Sequence, residues 1–161
     1  MNAKQIIEAL RQRHSQENAG VKEWAFFEEL RVTTGLNPLS TRHRDYRLDK
    51  SKAQRIDAWV INCYPSKNFL RVAYEVKVSR SDFLHEIKHQ EKRQQALALS
   101  NQYFFVVPKG LVKPEEVPEE CGLIYVDGNQ RARVVKQAPM RETAPPDWGF
   151  LCSIARRSQT G

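Results

Sequence analysis

The chain has 161 residues, a length that one domain with a single buried core uses in full. Its 26 Lys and Arg against 19 Asp and Glu leave a net charge of +7, which favours an anionic partner, nucleic acid above all for a compact basic domain. A hydrophobic fraction of 40% and a charged fraction of 28% exclude a disordered chain, and no apolar run approaches the roughly 18 to 20 residues that a membrane span needs. The opening "MNAKQIIEALRQRH" lacks a signal-peptide core, so no membrane partner and a cytoplasmic location are expected. Cys63, Cys121 and Cys152 are odd in number and widely spaced, which fits reduced thiols better than a disulfide framework or a zinc knuckle.

Residues 3 to 13 place Ile6, Ile7 and Leu10 on one helical face, and "VKEWAFFEELRV" (21 to 32) reads as a second helix rich in large apolar groups. From Leu36 to Lys52 the chain is polar and basic, with Arg42 and Arg44 in what reads as an exposed loop. "RIDAWVIN" (55 to 62) and "FLRVAYEVKV" (69 to 78), joined by the turn-rich "CYPSKN", predict a β-hairpin. A long helix follows to Asn101, opened by the capping pattern Ser79-x-x-Asp82. "YFFVVP" (103 to 108) predicts a strand buried on both faces, and "GLIYVD" (122 to 127) another, with which "ARVVKQ" pairs after the Gly128-Asn129 turn. The remainder, rich in Pro, reads as a peripheral wrap and a frayed tail over 137 to 161. The pattern is one domain, 1 to 161 with a core of about 21 to 136, of the mixed α/β class: an α+β mixed sheet covered by helices.

Side chains alternate across a strand, so Glu75 and Lys77 project from one face while Val72, Tyr74, Val76 and Val78 take the other. With the turn centred on Ser66, opposed positions sum to 132, which sets Asp57 across from Glu75. Like charges directly opposed destabilise a sheet, so something should compensate them. Lys77 alone would give a structural salt-bridge cluster. The other compensation is a hard divalent cation held between carboxylates, and with Lys77 beside it the parts match metal-assisted phosphodiester hydrolysis. A second Glu-x-Lys, Glu86-Ile87-Lys88, falls on the predicted helix, where its two side chains diverge by about 200° and form no common site.

"RIDAW", "AYEVKVSRSDF", the basic helix and "YFFVVPKG" together resemble the PD-(D/E)XK nuclease superfamily and, within it, the MmcB-like DNA-repair nucleases and related phage proteins. The resemblance implies a restriction-endonuclease-like αβββαβ core and a DNA nuclease that uses Mg²⁺, with Mn²⁺ able to substitute. Asp57, Glu75 and the Val76 carbonyl would hold the cation, Lys77 would orient and activate water, and a helix-borne acid, Glu29 in preference to Glu28, would complete the set. Ile56 stands where the superfamily's name has Pro, and no Gln-x-x-x-Tyr follows the lysine.

On the predicted helix, Lys88 and Lys92 stand one turn apart, and its first turn at Ser79 falls beside the site; with Arg42 and Arg44 these are the candidate DNA contacts. A protein that keeps the fold and binds DNA without cutting it is the alternative. His85 and His89 in "HEIKH" match a zinc-peptidase motif, but no downstream His completes it. Whether the chain works as a monomer or a homodimer stays open.

Overall fold

The structure is a computed structural model that describes residues 1–32 and 54–160; Arg42 and Arg44 lie outside the described residues. Helix α1 (Ala3–Arg13) forms where expected, with Asn2 accepting from the Gln5 N–H at its N-cap and Ile6, Ile7, Ala9 and Leu10 buried. A two-stranded ribbon follows, β1 (Glu17–Asn18) with β2 (Val21–Lys22). The main sheet consists of β3 (Trp24–Val32), β4 (Gln54–Asn62), β5 (Arg71–Val76), β6 (Gln102–Pro108), β7 (Gly122–Val126) and β8 (Ala132–Lys136), paired in that order. It is mixed: β5, β6 and β7 run parallel, and the outer pairs are antiparallel. The mixed α/β class read from the sequence is what the chain adopts.

Three predicted elements are corrected. Residues 21 to 32 are strand, not helix: β3 pairs with β4 from Trp24 opposite Asn62 to Val32 opposite Gln54. Alternation explains it, because Phe27 stacks toward Trp59 on one face of the sheet while Trp24 and Phe26 pack with α1 on the other. The long helix is broken into α2 (Arg80–Ile87), a 3-10 turn (Gln90–Arg93) and α3 (Gln94–Ala98). At the break, the Glu86 carbonyl accepts from the His89 N–H and, at 3.1 Å, from the buried Arg93 guanidinium, where a continuing helix would bring the Gln90 N–H. Finally, the expected frayed tail carries α4 (Trp148–Thr160), whose Phe150 is buried edge-on to Trp59.

Each face of the sheet has its own core. Ile6 and Leu10 of α1 pack on Val60, Tyr74, Val106 and Ile124. On the opposite face, Phe83 of α2, Leu97 of α3 and Phe150 of α4 close over Trp59, Ala73 and Phe105. Pro65–Lys67 forms the 3-10 turn between β4 and β5, centred on Ser66. Cys63, Cys121 and Cys152 are free thiols. Among the described residues, no helix is long and apolar enough to cross a membrane.

Candidate active site

The hairpin register follows the expected sum, with Ala58 opposite Tyr74 and Trp59 opposite Ala73. One step further, where Asp57 meets Glu75, the backbone ladder ends and a side chain replaces it. Asp57 Oδ2 accepts a 2.8 Å hydrogen bond from the Val76 N–H, which fixes the carboxylate against β5. Lys77 Nζ lies 3.3 Å from Glu75 Oε1 on the same face. The same ammonium is 3.7 Å from Glu86 Oε2, so a third carboxylate enters the cluster from α2.

Glu86 is the residue that sequence reasoning set aside. Its own Glu-x-Lys partner, Lys88, caps the end of α2 and is exposed, while Glu86 is buried. Phe83, three residues earlier, is the signal that could have found it, because residues three apart on a helix share a face and Phe83 faces the sheet. Arg93 holds this arrangement from behind: its guanidinium spans the Glu86 carbonyl and Glu120, 3.1 Å from each, and lies 6.0 Å from the centre of the Phe105 ring.

Three carboxylates face one ammonium in a buried setting, and their proton affinities respond. Burial and the charge of Asp57 push Glu75 up to about 8, with Glu86 adding to the effect and Lys77 opposing it. Asp57 is raised by burial, against the pull of the Val76 N–H, Lys77 and Arg55. For Lys77, burial disfavours the charge, but Glu75, Glu86 and Asp57 together outweigh it and raise its pKa. Lys77 is therefore an ammonium at neutral pH.

The other expected site residues are dispersed. Glu28 and Glu29 are not helix-borne. Glu28 accepts from Arg11 Nη2 at 2.9 Å, on the α1 side of the sheet. Glu29 falls between the ladder pairs Glu28–Ala58 and Leu30–Ile56 without a pair of its own; its backbone is left-handed (φ 52°), its carboxylate is largely exposed, and it lies 3.9 Å from Arg55. Ser79 caps α2 by accepting from the Asp82 N–H, as expected. Lys92 lines the cavity at the site, whereas Lys88 is an exposed cap. His85 and His89 stack at 4.4 Å, but α2 ends between them, and the His89 ring nitrogen Nδ1 lies 2.8 Å from the His85 carbonyl.

The carboxylates open into a cavity of about 810 Å³ between the start of β4 and the turn after α2. Among the described residues, no group of three or more His, Cys, Asp or Glu side chains is arranged to hold a metal ion. Asp57 and Glu75 alone suit Mg²⁺, which keeps several waters and is bound through one or two carboxylates plus substrate phosphates. A divalent cation there would take the place of the proton that burial and Asp57 keep on Glu75.

No family model and no curated protein matches the chain. A solved structure of a protein of unknown function from Silicibacter pomeroyi is similar in fold: the TM-score is 0.53 at 24% identity, covering 86% of this chain and 79% of that one.

Proposed function

We propose that the chain hydrolyses phosphodiester bonds of DNA in a reaction that depends on Mg²⁺, in DNA repair or phage and host DNA processing. The observation that supports this reading is the undercompensated cluster: Asp57, Glu75 and Glu86 around Lys77, at the mouth of a cavity. The resemblance of "RIDAW" and "AYEVKVSRSDF" to the PD-(D/E)XK superfamily points the same way.

In this reading Asp57 and Glu75 hold the cation, with the Val76 carbonyl as a further oxygen and Mn²⁺ able to stand in. The bound cation would supply Lewis acidity at the phosphate and lower the pKa of a nearby water. Asp57 is held for this by the Val76 N–H, so its carboxylate needs no reorganisation. Lys77, kept protonated by its neighbours, stabilises the negative charge that grows on the phosphate oxygens during in-line attack. Glu86 holds the Lys77 ammonium from α2, 3.7 Å away, and Arg55 and Lys92 at the cavity wall receive flanking phosphates.

The test is cleavage of labelled DNA with Mg²⁺ and with EDTA. Asp57→Asn and Lys77→Ala should each reduce the rate by at least about 100-fold. If both cut like the parent, the site is wrong. One observation favours the alternative, a silent DNA-binding protein: Lys77 already pairs with two of the carboxylates, which is how a purely structural cluster would look. That protein would bind DNA with a strong salt dependence and show no cleavage with any divalent cation.

A further inference from the structure

The cavity beside Asp57 and Glu75 is larger than a hydrated cation needs. At about 810 Å³ it lies within the ~300–1,000 Å³ of clefts that enclose most of a small molecule. Its lining is chemically mixed. Asp57, Glu75 and Glu86 line it, with Lys77 3.3 Å from Glu75, and so do three amide side chains, Gln54 at the start of β4 and Gln94 and Gln95 on α3, beside Lys92.

The amide wall is built from two elements tied together. Gln54, at the start of β4, donates from Nε2 to the Glu91 carbonyl at 3.1 Å, joining the strand to the turn before α3. Its Oε1 is buried and has no hydrogen-bond partner among the described residues. A buried amide oxygen without a donor is costly, so a ligand group that supplies an N–H there would be favoured. Side-chain amides offer a donor and an acceptor in one plane, the pattern that reads the edges of nucleic-acid bases. In a paired duplex the Watson–Crick edges are occupied and the bases are stacked, so a base reaches a recess beside the scissile phosphate only when it is out of the helix.

We infer that the site accepts an unpaired nucleotide: the phosphate at Asp57, Glu75 and Lys77, and the base against the Gln54, Gln94 and Gln95 wall. The substrate is then single-stranded DNA or the unpaired strand of a branched or frayed molecule, not uninterrupted duplex. This inference rests on the nuclease reading for its phosphate end and on the cavity for its base end, so the two can fail separately.

The experiment is fluorescence anisotropy with one oligonucleotide sequence, presented as a single strand and as a blunt hairpin duplex, in Ca²⁺ to suppress turnover. The single strand should bind at least about tenfold more tightly. Gln95→Ala should remove most of that preference while leaving Mn²⁺ affinity, measured by titration calorimetry, at the parent value. Gln94→Ala, at an exposed position, serves as the second variant should Gln95→Ala lower the melting temperature. Equal affinity for the two forms, or an undiminished preference in both variants, overturns the inference. A single-strand preference without cleavage in Mg²⁺ or Mn²⁺ would sink the nuclease reading and leave the base pocket standing. Cleavage that ignores strandedness would do the reverse.

Discussion

Stability should fall as pH rises from 6.5 to 8 in the absence of divalent cations, because Glu75 carries a proton in the folded chain that it lacks in the unfolded one. Its pKa rises from 4.5 to about 8 on folding. A carboxylate raised in this way contributes stability that is complete below its unfolded pKa and is lost as pH climbs through the folded one. The slope is at most about 1.4 kcal/mol per pH unit, and with half the proton gone at pH 8 the loss over this window is about 2 kcal/mol. Asp57, also raised, works in the same direction. His14 works in the opposite one: burial lowers it to about 4, so its contribution grows as pH rises from there to 6.5, and the window begins above that range. For a chain of this length, about 2 kcal/mol corresponds to a fall in Tm of roughly 4–8 °C. Thermal melts in EDTA at pH 6.5, 7.2 and 8.0 measure it, with Glu75→Gln as the non-titrating control. Saturating Mn²⁺ should flatten the curve, since a cation on Asp57 and Glu75 replaces the proton and gains affinity as pH rises. A Tm that is flat over this window in EDTA, or that falls equally in the parent and in Glu75→Gln, would refute the reasoning.

Gly122→Ala should destabilise the chain by about 2 kcal/mol or more in urea unfolding. A Cβ there would stand 2.5 Å from the Phe104 ring and 2.7 Å from the Ala138 backbone nitrogen, at the first pair of the parallel β6–β7 ladder. Arg93→Met, which keeps the volume but abandons Glu120 and the Glu86 carbonyl, should cost about 2 kcal/mol and release the end of α2, visible as faster amide exchange over residues 86 to 90. Lys77→Met leaves three buried carboxylates without their cation; its melting temperature should drop more at pH 8 than at pH 6.5, and Mn²⁺ should restore much of the difference.

The hairpin was legible because local chemistry decides it. Pro65, Ser66 and Lys67 make a tight turn, strand alternation does the rest, and together they bring Asp57 to Glu75 from sequence alone. Residues 21 to 32 were not legible in that way. "VKEWAFFEELRV" contains no Gly or Pro and holds several good helix formers, and only the neighbour β4, 22 positions away at the nearest end, makes it a strand. Arg93 misled for a related reason. In a basic stretch an arginine reads as part of a solvated face, yet this one is buried and ends the helix it was expected to continue. Glu86 followed from that error: on an unbroken basic helix it looks like a chance copy of Glu75, and only the packing of α2 on the sheet turns it toward Lys77.

The charge of the whole chain and the charge of the site have opposite signs, and the contrast orders the events. A net +7 draws a polyanion toward the surface from a distance. Inside the cavity, Asp57, Glu75 and Glu86 stand around Lys77, and each of these carboxyls that ionises would repel an incoming phosphate. Unit charges about 4 Å apart interact by about 4 kcal/mol at an effective dielectric near 20, so the repulsion is not a detail. On the proposed reading, a phosphate would settle beside Asp57 and Glu75 once a cation, or the proton that Glu75 keeps up to about pH 8, has offset that repulsion. Salt and divalent cation should therefore act on separable steps, salt on encounter with the basic surface and the cation on entry into the site.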